Sequence, residues 1–225
     1  MLNEPKVVPK SWKNVHVGKR GFVMGCGPSL RAQAELNELE WLKDEVTIGT
    51  NRMYETFMPK YLCVADKTSV STPYAKEFEE QSGKTIMVFS VPPCVDWPKS
   101  AFTVPLNTSS RWGSNGEFRP DFDFTSWGRS VVLDLALPFA VYLGLNPIYL
   151  LGCDCTSEGH CHSTGEIEKR IVSENVWHLI FEAFEDLGKK FSALGGAIYN
   201  STLGGNLEVF PRVSLSTLFT EGASK

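Results

Sequence analysis

Short apolar runs alternate with longer amphipathic stretches along most of this chain. Residues 22–24, 45–51, 61–66, 85–89, 147–154 and 197–199 are runs of Val, Ile, Leu, Met, Phe and Tyr that end in Gly, Asn, Asp or Ser. Such runs read as buried strands followed by turns. Between them, residues 30–44 place Leu36, Leu39 and Leu42 on one side of a helix. Residues 130–143 form an apolar helical stretch closed by Gly144, at the place of a helix-ending glycine. Residues 173–191 predict a third helix. Strand–helix–strand alternation of this kind predicts one α/β domain, a Rossmann-like, mostly parallel sheet flanked by helices.

Residues 91–129 break the pattern. They are rich in Pro, Ser, Asn, Trp and Phe and carry no sustained period. A connection this long inside a compact domain is functional or disordered. Its aromatics, Phe102, Trp112, Phe118, Phe122, Phe124 and Trp127, argue for order, so the segment reads as a lid or irregular sub-lobe.

Length and charge narrow the picture. At 225 residues the chain suits a single domain. A net charge of -4 with dispersed basic residues gives no nucleic-acid surface. The most apolar stretch, 133–151, is interrupted by Asp134, Pro138, Gly144, Asn146 and Pro147, so no transmembrane segment is expected. The first residues lack the apolar run of a signal peptide. Six cysteines without a regular framework point to a reducing, cytoplasmic setting. A homo-oligomer stays compatible with all of this.

In a parallel sheet, ligands bind beyond the carboxyl ends of the strands, where the strand order reverses. The polar residues at those ends therefore form one predicted cluster. Gly25, Gly27, Pro28 and Ser29 make a turn between strand and helix whose free amides suit a phosphate. Asn51, Arg52, Asp66 and Asp154 follow three other strands. Ser126, Gly128, Arg129 and Ser130 open the apolar helix and offer a second anion site, with Arg129 able to grip a phosphate in two places. His160 and His162 lie in the loop after Asp154, and His178 lies in the helix beyond. Imidazoles there are candidate general bases. His16, in a polar N-terminal arm, is expected at the surface. Cys153, Cys155, His160, Cys161 and His162 are ligand types that zinc accepts, but their spacing is not that of a paired knuckle, and no metal is assigned. Asp121 and Asp123 form an Asp-x-Asp pair that could clasp a divalent ion.

Two blocks carry a resemblance. They are residues 23–30 (VMGCGPSL) with Gly49-Thr50-Asn51, and residues 126–154 continuing to the NSTLGGNLEVF of 200–210. Over about residues 20–213 the chain resembles the bacterial lipooligosaccharide sialyltransferases of glycosyltransferase family forty-two. It is also similar to the domain family named for 6-hydroxymethylpterin diphosphokinase. The sialyltransferase resemblance implies that Gly27, Ser29, Asn51 and the turn 126–130 hold the CMP part of a CMP-sugar. It implies a His general base, for which His178 is the nearest counterpart. The family's phosphate-holding tyrosines are replaced here by Thr156, His160 and His162. It implies no required cofactor.

The expectation is a glycosyltransferase that moves sialic acid or a similar sugar from a nucleotide-activated donor, CMP-linked by the resemblance, to a glycan acceptor, with His178 or His162 as base. One alternative is a magnesium-dependent pyrophosphokinase acting on 6-hydroxymethylpterin, with Asp66 and Asp154 on the Mg²⁺. Another is a non-catalytic nucleotide- or glycan-binding module.

Overall fold

The computed structural model describes residues 6–65, 74–90, 98, 100–111, 118–127, 129–161 and 174–220. Eight strands form one sheet. They are β1 (Lys6–Val7), β2 (Gly21–Met24), β3 (Val46–Thr50), β4 (Tyr61–Val64), β5 (Ile86–Phe89), β6 (Phe102–Thr103), β9 (Ile148–Leu151) and β10 (Ile198–Asn200). Their order is β1-β6-β5-β4-β3-β2-β9-β10, and every pairing is parallel. The remaining strands, β7 (Leu106–Arg111) and β8 (Thr125–Trp127), pair with each other. The fold is thus α/β and Rossmann-like, as the alternation predicts.

Successive side chains of a strand point to opposite faces, and both faces here are buried. Val23, Cys63, Val88 and Leu150 enter one core layer. It is covered by α3 (Leu137–Tyr142) and α4 (Glu174–Ala193), which supply Phe139, Phe184 and Leu187. Phe22, Met24, Leu62, Met87 and Tyr149 enter the other layer, beneath α1 (Ser29–Glu35), α2 (Ala75–Gln81) and α5 (Leu215–Thr220). Strands buried on both sides are the reason they read as continuous apolar runs.

Three elements differ from the sequence pattern. The helix expected over 30–44 stops at Glu35, because Asn37 takes a left-handed conformation (φ 59°) that no α-helix can pass through. A 3₁₀ turn, Glu38–Leu42, then buries Leu39 and Leu42 and leaves Leu36 exposed. The apolar helix begins as a π turn, Val132–Ala136, before α3. Pro138 has no N–H for the Asp134 carbonyl and its ring crowds that oxygen, so a widened turn fits there. His16 is buried rather than superficial, with Nε2 2.9 Å from the Tyr61 hydroxyl.

The described part of 91–129 is packed. Phe118 and Phe122 lie in the α3 core layer, and Phe122 packs against Phe139 and Tyr142. Asp121 and Asp123 are exposed on either side of it, and Asp121 pairs with Lys13. That pairing engages the first carboxylate of the Asp-x-Asp candidate.

Candidate functional site

The strand order reverses between β2 and β9. From β2 the chain moves outward through β3 to β6, while β9 and β10 lie on the other side. Met24 is level with both Gly49 and Leu151, so the turns after β2, β3 and β9 emerge side by side. This is the crevice in which an open parallel sheet places a ligand. Gly25, Gly27, Pro28, Ser29, Asn51 and Asp154 meet at it. Asp66, Gly128 and His162 lie outside the described residues, and of Ser126 only the strand backbone is described.

The β2 turn differs from the sequence reading in one respect that matters. The Ser29 N–H donates to Asp154 Oδ1 at 3.1 Å, and the Ser29 hydroxyl donates to Oδ2 at 2.7 Å. Asp154 therefore caps α1 from the end of the neighbouring strand, in the place where a donor phosphate was expected. A Cβ on Gly27 would fall 1.8 Å from Asp154 Oδ2 and 2.6 Å from the backbone carbonyl of Gly152, so glycine is required here. Gly152, at φ 59°, makes the turn that brings the chain back toward the bend; its N-terminal neighbour Leu151 accepts from the Gly25 N–H at 2.8 Å. The free-amide cradle of the sequence reading is thus corrected to a closed cap. It closes because parallel pairing of β2 with β9 sets Asp154 opposite Gly27, a juxtaposition of distant segments.

Asp154 is buried, and burial holds its carboxyl above the usual carboxylate value, opposed in part by the two Ser29 donors. The second anion site is also satisfied internally. Ser130 Oγ accepts from the Leu133 N–H at 3.2 Å, an ordinary N-cap, and the Arg129 N–H donates to Asp134 Oδ2 at 3.2 Å.

After β3, Thr50 donates its hydroxyl to the Met24 carbonyl at 3.0 Å, tying β3 to β2. Asn51 follows in a left-handed conformation (φ 47°), with its N–H on the Cys63 carbonyl at 2.8 Å. Its Oδ1 is buried and accepts no hydrogen bond among the described residues. Thr156 Oγ1, in the loop after β9, is in the same condition. Buried polar atoms without partners are uncommon and mark places where a ligand group or a water belongs. Arg52 turns away from the crevice. Its guanidinium stacks on Tyr74 at 3.6 Å and pairs with Glu55 at 2.6 Å.

The loop after Asp154 crosses the bend, and the Cys161 N–H donates to the Cys26 carbonyl at 2.8 Å. His160, just before it, is half-buried. His178 lies on the solvent side of α4, its side chain 73% exposed and 3.5 Å from Glu182. An imidazole so exposed is a surface group, and the base role given to it in the sequence is not supported by its position. Among the described residues no group of His, Cys, Asp and Glu is arranged to hold a metal ion. Beside the crevice, Phe181, Glu185, Asn206, Glu208 and Val209 line an open groove of ≈ 340 Å³. Its loop is joined to the site by the Asn206 N–H on the Asp154 carbonyl at 2.7 Å. Arg212 stiffens that loop through the carbonyls of Thr202, Gly204 and Gly205.

Sequence reasoning missed the Asp154 cap and the Cys26–Cys161 contact. Neither leaves a local signal, since each joins segments far apart in the chain. No protein-family model matches the chain, and no curated protein is significantly similar to it. Among the described residues no helix is long and apolar enough to cross a membrane.

Proposed function

We propose that the protein is a transferase that binds a nucleotide-activated sugar at the β2/β9 crevice and passes the sugar to a glycan. The observation that carries this reading is Asn51: a left-handed strand-end residue at the topological switch point whose buried carboxamide oxygen has no donor among the described residues. A base or ribose N–H or O–H supplies that donor. The resemblance of 23–30 and 126–154 to CMP-sugar transferases favours a CMP-linked donor. The groove at Phe181 and Asn206 gives the acceptor a polar and aromatic wall next to the donor.

Two roles change from the first expectation. The donor phosphate does not rest on the Ser29 amide while Asp154 holds it, and a carboxylate there repels an anion. The general base falls to the His160–His162 loop, not to His178. Transition-state charge then gathers on the departing phosphate, where any positive group of that loop lowers the barrier.

Hydrolysis or transfer assayed with a panel of CMP- and UDP-sugars tests the proposal. Turnover of a CMP-sugar that survives His178→Ala and is lost with His162→Ala supports it. Absence of both turnover and binding for every donor overturns it. Nucleotide binding without turnover selects the non-catalytic module instead.

A further inference from the structure

Cys26 sits inside the β2 turn, between Gly25 and Gly27. Cys161 ends the described part of the loop that crosses this turn. Both are free thiols, Cys26 half-buried and Cys161 buried. Their backbones are joined by the Cys161 N–H···O Cys26 hydrogen bond of 2.8 Å. A direct backbone N–H···O bond brings two residues close to the ~4.4–6.8 Å between Cα atoms that a disulfide spans. The two thiols also act on each other: the interaction with Cys161 is the first cause that raises Cys26 well above the ordinary thiol value, and the interaction with Cys26 is the first that lowers Cys161. Cys26 Sγ in turn donates to the Thr50 carbonyl at 3.0 Å. None of the other described cysteines, Cys63, Cys153 and Cys155, is joined to a second cysteine by a backbone hydrogen bond in this way.

We propose that Cys26 and Cys161 are a reversible thiol modification site, oxidised by peroxides to a disulfide that fastens the 155–161 loop across the β2 turn. The chemistry balances in two steps. A peroxide reacts at Cys161 Sγ, the thiol more easily ionised; the O–O bond breaks, an S–OH forms and water leaves. Cys26 Sγ then attacks Cys161 Sγ; the S–S bond forms, the S–O bond breaks, and hydroxide leaves with the Cys26 thiol proton as a second water. Two electrons pass from the thiols to the peroxide. Low-molecular-weight thiols reverse it by exchange. With both sulfurs largely covered, reaction awaits local opening, so the extent of oxidation is the useful measure and not the initial rate.

The fastened loop carries Asp154 at its root and Thr156 and His160 along it, so oxidation locks the cap and the crevice together. This consequence for ligands rests on the proposed binding site; the disulfide itself does not.

Full-length protein is treated with excess hydrogen peroxide, alkylated under denaturing conditions, digested and mapped by mass spectrometry. The expected result is a dominant crosslink joining the Cys26 and Cys161 peptides, removed by dithiothreitol and accompanied by a rise in melting temperature of several degrees. Cys26→Ser and Cys161→Ser each abolish the crosslink and the rise, while circular dichroism of the reduced variants stays native. Should either variant unfold, the wild-type map alone decides. Overoxidised but unlinked Cys161, or a dominant crosslink using Cys63, Cys94, Cys153 or Cys155, overturns the proposal.

Discussion

A methyl group on Gly27 would lie 1.8 Å from Asp154 Oδ2, with the Gly152 carbonyl 2.6 Å away, so neither side can yield cheaply. Gly27→Ala should cost about 1–3 kcal/mol, the usual range for overpacking, seen as a lower urea midpoint with unchanged slope. Asp154 itself gives a pH signature. Its folded carboxyl is raised by burial from the ordinary 3.8, so it binds protons more tightly folded than unfolded. Its favourable contribution is fully present below 3.8 and is lost as pH rises through the higher folded value. Asp154→Asn keeps an acceptor for the Ser29 N–H and has no such loss. Its stability relative to wild type should therefore increase from about pH 4 to pH 7 in paired urea melts. His16 has the opposite sign. Burial, then Lys60 and Lys19, lowers it from 6.5, so its contribution is present above that value and is lost as pH falls toward the folded value. In His16→Gln the step below 6.5 should vanish while the wild type retains it.

At the scale of elements, α5 is held to the sheet by the buried Leu215 and by one polar side chain from outside the helix. Arg20 bonds the Glu45 carboxylate with Nε at 3.0 Å and a terminal nitrogen at 2.5 Å, and reaches the Leu218 carbonyl at 3.4 Å. Its guanidinium lies 4.5 Å over Phe219, which stacks in turn on Phe22. Arg20→Ala should cost about 1–2 kcal/mol and expose α5 to early proteolysis, the pair being only partly shielded from water. Little of this was legible in the sequence. The long strands were, because burial on two faces makes 61–64, 86–89 and 148–151 apolar throughout. The two-residue strands β1 and β6 were not, since so short a run carries no pattern. Helix 30–44 looked continuous because Leu36, Leu39 and Leu42 keep a helical spacing that the left-handed Asn37 overrides. The polar ends of β2, β3 and β9 do lie side by side, as their place after parallel strands implies. What they could not give was the content of the crevice: that Asp154 fills the Ser29 turn depends on the β2–β9 register, and that His178 faces water depends on how α4 rolls against Phe210.

For the whole molecule, the all-parallel order and its reversal between β2 and β9 bring Asn51, Thr156, Asp154 and the Cys26 turn to one edge. A nucleotide bound at that edge would set its base or ribose on Asn51, with its charge held off by Asp154. Removing the carboxylate charge in Asp154→Asn should tighten binding of a phosphate-bearing nucleotide more than that of the bare nucleoside, with a ratio that shrinks as salt is added. The most direct test is calorimetric titration of CMP, with UDP, GDP and ATP beside it, into the wild type and Asn51→Ala. Saturable binding of CMP by the wild type is expected, with a dissociation constant raised by about tenfold or more in Asn51→Ala, the size that follows when a buried hydrogen bond to the ligand is lost. Equal affinity in both proteins, or no heat from any of the four, would contradict it.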